Sequence, residues 1–325
     1  MSSPTPCRPP CPNGGWGAAS GVLNVVRSGP GSGGRSAVAA LVQPVESRGR
    51  QDGSSELTPR CTTLVTNDDG IDSPGLTVLA AAAVRAGLDV VVAAPARESS
   101  GAGAGIIATT REGRPLIDRR PLPELPGIEA YAVQAQPGYI VRAAVRGWLD
   151  PAPQVVLSGI NHGANVGRAV LHSGTVGAAL TAAVNGVRGL AVSLDVGLYP
   201  AQPPHWNTAA HLLPKVVEIL IGAPAGTVLS LNVPDRPVGA LRELRLATLA
   251  AFGTVQTKVD RVDDGQLHLA RVQVQAPLEE GTDRALLAAG HPTLTALEPV
   301  CEASGPVLSN WLASEVHTIV KGATE

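Results

Sequence analysis

The sequence predicts an α/β fold: a Rossmann-like, mostly parallel sheet between two layers of helices, a three-layer sandwich with a C-terminal hairpin and helix extension used in oligomerisation. Three observations predict it. Short apolar and β-branched runs stop abruptly at turn residues, as strands buried on both faces do. Helical periodicities fall between these runs, and such alternation implies right-handed βαβ crossovers and a parallel sheet. Finally, hydrophobic residues make up 44% of the chain but aromatics only 2%, so Ala, Val and Leu must fill the core, which suits closely stacked layers.

The elements follow in order. Residues 1–60 are rich in Gly, Pro, Ser and Arg and are expected to be a disordered N-terminal extension. A Rossmann-like core is expected over 61–248. Thr62 to Thr66 reads as its first strand; Ser73 as N-cap and Pro74 at the first helical position then open a helix to Arg85. Leu88 to Pro95 is a second strand, closed by proline and followed by the Ser- and Gly-rich loop 96–105. Its glycines suit backbone held close to a ligand, or a plain flexible connector. Residues 108–135 look extended and broken by prolines, with Ala130 to Ala135 the clearest strand, and Tyr139 to Leu149 is an amphipathic helix. Gln154 to Ser158 is a buried strand running into the Gly- and Asn-rich loop 158–167. Ser173-Gly174-Thr175 opens a helix through Val187, and Leu190 to Leu194 is the next strand. A helix over Asn207 to Ile221 and strands at Val228 to Val233 and Leu241 to Thr248 complete the core. Residues 249–325 change character: polar alternation such as His268 to Gln275 suits antiparallel hairpins, and Val307 to Val320 is an amphipathic helix bearing Trp311. Hairpin and helix have little core of their own and are expected to be oligomer contacts.

Charge and cysteine usage narrow the function. With 25 basic and 27 acidic residues the net charge is −2, which offers no footprint for a nucleic-acid polymer or an anionic membrane. Cys7, Cys11, Cys61 and Cys301 form no framework spacing, so a reducing, cytoplasmic setting is expected. No window approaches a membrane span, and the first sixty residues lack the pattern of a signal peptide.

The chemistry concentrates at strand ends. Asn67-Asp68-Asp69-Gly70 follows the first strand, and in an open α/β sheet the loops after the strands meet at the carboxyl edge, where ligands bind. Two carboxylates converge only if the chain turns, which Gly70 permits. Asp68 and Asp69 supply charged oxygens, Ser100 a hydroxyl and Asn161 an amide carbonyl. An all-oxygen set suits Mg²⁺, Mn²⁺ or Ca²⁺ better than zinc or copper. Ser173, Gly174 and Thr175, at a helix N-terminus, offer free N–H groups to an anion such as phosphate. Asn67 and Asn165 stand beside these as candidate substrate-binding residues. His162 and His172 are near enough to protonate a leaving group, although loop histidines are mostly bystanders.

The combination resembles the survival protein SurE family of metal-dependent nucleotidases. The resemblance rests on Asn67-Asp68-Asp69-Gly70-Ile71 with Ser73-Pro74-Gly75, Ala94-Pro95 before Ser100-Gly101-Ala102, Ser158-Gly159-Ile160-Asn161 with Gly163 and Asn165, Ser173-Gly174-Thr175-Val176 with Ala178-Ala179, Leu231-Asn232-Val233-Pro234, and Gly281-Thr282-Asp283. It implies a C-terminal extension exchanged between subunits in dimers or tetramers. One divalent ion per subunit would be held by Asp68, Asp69, Ser100 and Asn161. The implied activity is removal of phosphate from nucleoside 5′- and 3′-monophosphates, with short polyphosphate as a further substrate. Ser99 stands where the family usually carries Gln or Arg, Gly103 to Ile107 replaces a Ser/Thr tract, and Ala135-Gln136-Pro137-Gly138-Tyr139 departs from a frequent Gly-Thr-Pro-x-Asp-Cys segment. These differences bear on substrate preference.

The expected function is therefore a metal-dependent phosphomonoesterase in which Asp68 and Asp69 are the catalytic acids and a water is the nucleophile. An aspartyl-phosphate on either acid is the alternative chemistry. A nucleotide-binding regulator with little turnover is the alternative function. A dinucleotide-dependent oxidoreductase is disfavoured, because the first βα turn carries acids where pyrophosphate needs a glycine fingerprint.

Overall fold

The computed structural model describes residues 61–198, 203–263 and 266–300, with backbone only over 255–271. The expected extension at 1–60 and the helix at Val307 to Val320 lie outside the described residues. In chain order the elements are β1 Thr62–Thr66, α1 Pro74–Arg85, β2 Asp89–Pro95, β3 Thr110–Arg111, β4 Arg114–Pro115, β5 Ile117–Arg119, β6 Glu129–Val133, α2 Pro137–Ala143, β7 Val155–His162, α3 Gly174–Val184, β8 Arg188–Asp195, α4 Trp206–Gly222, β9 Val228–Pro234, β10 Arg245–Leu246, β11 Val255–Asp263, β12 Gln266–Gln273, α5 Asp283–Ala288 and β13 Thr293–Leu297.

A nine-stranded sheet runs β10-β13-β9-β8-β7-β1-β2-β6-β5. From β9 to β6 every neighbouring pair is parallel, while β5 joins β6, and β13 joins β9, antiparallel. The chain builds outward from β1 through β2 and β6, then returns to β7 on the other flank and continues through β8 to β9. Strand order thus reverses between β1 and β7, and the carboxyl ends of those two strands border the crevice where open α/β sheets bind ligands.

Alternate strand residues enter different layers, as the period of two requires. Val65, Val92, Leu157, Val192 and Leu231 face Leu76, Leu79, Leu213 and Val217 of α1 and α4. Leu64, Ala93 and Val156 face Ile140 and Val141 of α2 and Ala178 and Ala182 of α3. Small side chains let the layers close up: a Cβ on Gly189 of β8 would stand 2.4 Å from the Ala179 carbonyl oxygen of α3. Bulky aromatics would have held them apart.

Several expected elements change on folding. Ser73 is the N-cap of α1 but makes no side-chain cap bond, whereas Ser173 Oγ accepts from the Val176 N–H at 3.1 Å. The helix expected through Leu149 stops at Ala143 and becomes a π turn, Ala144–Trp148, in which Gly147 has φ +100°. β7 does not end at Ser158: after an irregularity in register it continues, with Asn161 opposite Ser193 and His162 opposite Leu194. Little of the strand expected over Leu241 to Thr248 pairs beyond Arg245–Leu246. The hairpin expected after residue 249 is present as β11 and β12, but α5 and β13 were not anticipated. β13 inserts between β10 and β9, so residues on both sides of position 248 share one sheet.

Candidate active site

β1 is buried throughout and delivers Asn67 and Asp68, 0% and 3% exposed, to the carboxyl edge. The turn that follows is closed by Asn67 itself. Its Nδ2 donates to the Gly70 carbonyl at 3.0 Å, and its Oδ1 accepts from the Gly70 N–H at 3.2 Å. Gly70 sits at φ +101°, a conformation that penalises any Cβ. The Ile71 N–H then donates to Pro95 O and the Ser99 N–H to Asp68 O, both at 2.8 Å, which ties the loop after β2 to the turn. Asn67, expected near substrate, is therefore the fastener of the turn.

Asp68 meets the start of α3 directly. Thr175 Oγ1 donates to Asp68 Oδ1, and a Cβ on Gly174 would fall 2.7 Å from Asp68 Oδ2. Burial pushes the Asp68 carboxyl up, opposed by the Thr175 hydroxyl and the backbone amides of Thr175 and Gly174. The helix N-terminus that sequence alone assigned to phosphate thus already holds a carboxylate, the same physics applied to a side chain.

Asp69 is less enclosed. Its Oδ2 accepts from the His162 N–H at 3.3 Å, and Oδ1 has no hydrogen-bond partner among the described residues. Burial, then the Asp68 charge and then Glu98 raise this carboxyl to about 6, against the His162 amide. Among the described residues, none of the ion pairs includes Asp68, Asp69 or Glu98.

Asn161 completes the contact chain. Its Nδ2 donates to Gly163 O at 2.8 Å, and its Oδ1 lies 3.2 Å from Thr175 Oγ1. A hydroxyl has one proton, and the closer, charged Asp68 is the stronger acceptor. Asn161 Oδ1 therefore keeps a lone pair for a cation. Ser100 instead turns its hydroxyl to Glu98 Oε1 at 2.7 Å on an exposed loop. Of the expected set, the structure joins Asp68, Asn161 and Thr175 by contact, brings Asp69 beside them through His162, and leaves Ser100 on the neighbouring loop.

Asn165 is also spoken for. Its N–H donates to Asn232 Oδ1 at 2.8 Å, its carbonyl accepts from Asn232 Nδ2 at 2.9 Å, and its Nδ2 donates to Ser193 Oγ at 2.9 Å. Asn232 on β9 was given no role from sequence. A polar residue inside the buried strand Val228–Pro234 was the available signal, since such a group needs partners. Ser193, a polar residue inside the buried strand β8, carried the same signal, whereas Glu98 carried none. Among the described residues, no three His, Cys, Asp or Glu side chains converge on a metal position. An apolar cavity of about 220 Å³, lined by Ile117, Tyr139 and Trp148 among others, contains none of these residues.

A family model described as Survival protein SurE matches residues 63–254. A 5′-nucleotidase SurE from Dehalococcoides mccartyi (strain CBDB1) is 36% identical over 239 residues, covering 72% of this chain and 87% of that protein. The protein of the same name from Moorella thermoacetica is 36% identical over 241 residues, covering 72% and 88%. Among solved structures, the SurE protein from Aquifex aeolicus superposes with a TM-score of 0.62 at 24% identity, over 79% of this chain and 99% of its own, a likeness of fold. The family match spans the motifs from Asn67 to Pro234, including those at the ends of β1 and β7 where the strand order reverses, and the chain belongs to the SurE family.

Proposed function

We propose that the protein is a metal-dependent phosphomonoesterase that hydrolyses nucleoside 5′- and 3′-monophosphates to nucleoside and phosphate, with short polyphosphate as a further substrate. One observation carries the reading. Asp68 and Asp69 are crowded at the end of a buried strand, with both carboxyl groups pushed up and no cationic side chain paired to either among the described residues. Two desolvated carboxylates of like charge are costly unless a positive charge lies between them. Their oxygens, with Asn161 Oδ1, fit a hard divalent ion, Mg²⁺ or Mn²⁺, with Ca²⁺ able to occupy the same oxygens. The relatives' printed activity, 5′-nucleotidase, supports the substrate class.

In this reading Asp68, Asp69, Asn161 and Ser100 hold the ion. When bound, the ion supplies a Lewis acid for the phosphoryl group and acidifies a water. The chain's own contribution is preorganisation. Asp68 cannot rotate, because the Thr175 hydroxyl and the amides at the start of α3 hold it. Asp69 Oδ1 is free to take a proton from the attacking water. Ser173, Gly174 and Thr175 act on the phosphate chiefly by keeping the positive end of α3 against Asp68, while Asn67 and Asn165 shape the two loops. We assign the oligomer contact, in a homodimer or homotetramer, to the hairpin β11–β12 and the residues that follow β13.

Phosphate release from AMP, GMP and an aryl phosphate, with Mn²⁺ or Mg²⁺ and with chelator, tests the function. Metal-dependent release from at least one nucleotide is expected; none from any of the three rejects an enzyme and leaves the regulator. An acyl-phosphate adduct on Asp68 or Asp69 in a rapidly quenched reaction would replace water as the nucleophile.

A further inference from the structure

The loop from β7 to α3 supplies the candidate site from both ends and is seated at its middle. Asn161 lies at one end and Thr175 at the other, with their oxygens 3.2 Å apart. Midway, the Gly167 N–H donates to Asp283 Oδ2 at 2.8 Å and the Arg168 N–H to Ala250 O at 3.0 Å. Gly167, at φ +63°, fits closely there: a Cβ would stand 2.5 Å from Phe252 O and 2.9 Å from Ala250 O. Asp283 is 1% exposed. Its Oδ1 accepts from the Ala250 N–H at 3.0 Å and the Arg284 N–H at 2.7 Å. A buried carboxylate is tolerated when amides surround it in this way. It lies beyond residue 254, where the family match ends.

We infer that Asp283 is a positioning residue for the candidate metal site: from the C-terminal segment it fixes the centre of the loop whose two ends carry Asn161 and Thr175. The inference rests on the metal reading of Asp68, Asp69 and Asn161 and goes beyond it, since Asp283 touches none of them. Asn161 is placed by its pairing with Ser193 of β8 and Thr175 by the first turn of α3, and the tether at Gly167 fixes the course of the segment between them. The two oxygens of Asp283 divide the work. Oδ1 serves two amides at the base of α5 and the segment before β11, and Oδ2 serves the loop alone. In Asp283→Asn the remaining oxygen is better used by the two amides than by one. The new NH₂ group then faces the Gly167 N–H, donor against donor, and the loop is released while the base of α5 stays bonded.

The test is Mn²⁺ binding to the full chain by electron paramagnetic resonance, with thermal unfolding in chelator measured alongside. Asp283→Asn is expected to weaken Mn²⁺ binding about 10- to 100-fold, the usual effect of losing support behind a metal ligand. Gly167→Ala lifts the same loop from the opposite side and is expected to weaken binding at least about tenfold. It decides the matter should Asp283→Asn not fold. Wild-type affinity in either variant overturns the inference, and a lowered unfolding temperature with unchanged affinity makes Asp283 a structural residue only. A wild-type chain that binds no Mn²⁺ overturns the metal reading as well, and that result is visible before either variant is made.

Discussion

Two glycine-rich loops leave the carboxyl edge of the sheet after β2 and β7, on either side of β1, and look alike in sequence, yet folding gives them opposite work. In the loop after β2, glycines are contact points. A Cβ on Gly177 of α3 would fall 2.2 Å from Gly103 O, one on Gly138 of α2 2.7 Å from Gly105 O, and one on Gly105 2.2 Å from Gln136 Oε1. The Gly103 N–H donates to His172 O at 3.2 Å. This loop is more than a flexible connector; its glycines make it mortar between α2, α3 and the sheet. From the end of β7 onward the side chains matter instead: Asn161 touches Thr175, whose hydroxyl donates to Asp68, and Asn165 and Gly167 are tethered to Asn232 and Asp283. Glycine content alone does not distinguish packing from chemistry, because both need backbone to come close to something.

The contrast can be broken by mutation. Asp69→Asn should give the largest effect, a loss of metal-dependent phosphate release of about 10³-fold or more, roughly 4 kcal/mol of transition-state stabilisation. Activity within tenfold of wild type would remove Asp69 from the site. Gly177→Val should act only on stability, costing about 3 kcal/mol in urea unfolding by driving a branched side chain into Gly103. Gly101→Ala, with nothing within 4 Å of its added Cβ but φ at +80°, should cost only about 1 kcal/mol. Equal costs would mean that the first loop is not packed as described.

A pH comparison separates the acids from the tethers. Asp69 is raised to about 6 in the folded chain, so folding binds its proton more tightly than the unfolded chain does. Its stabilising contribution is therefore complete below about pH 4 and is lost as pH rises through about 6. In chelator, Asp69→Asn should overtake wild type in stability across that window by on the order of 2 kcal/mol, after allowance for partial exposure. A difference in melting temperature that does not change between pH 4.5 and 7.5 would contradict the crowding of the two carboxylates. A smaller effect than that of either Asp69→Asn or Gly177→Val is expected at the second loop's nearer tether. Asn232→Ala, which removes two bonds to the Asn165 backbone, should cost about 1–2 kcal/mol in unfolding and weaken Mn²⁺ binding.

Much of this was legible beforehand because it is local. Thr62–Thr66 and Pro74–Arg85 end where sequence places them, since turn residues and a proline at the first helical position act on their own neighbours. Asn161 was read as part of a loop and proved to lie on a strand, because the pairing that extends β7 comes from β8. β13 went unanticipated for the same reason: a short run such as Thr293–Leu297 becomes a strand only where β9 and β10 offer open edges.

The sequence by itself determined the alternation of strands and helices, the carboxylate pair after β1, and the close layers that a core of Ala, Val and Leu allows. Those properties follow from residue type and near spacing. Tertiary structure decided which glycines pack and which turn, that α3 points at Asp68, and that Asn232 and Asp283 hold a loop far from them in sequence. Such contacts depend on which distant segments share the carboxyl edge of the sheet, and strand order, which sets this, is fixed by the pairing of the whole chain.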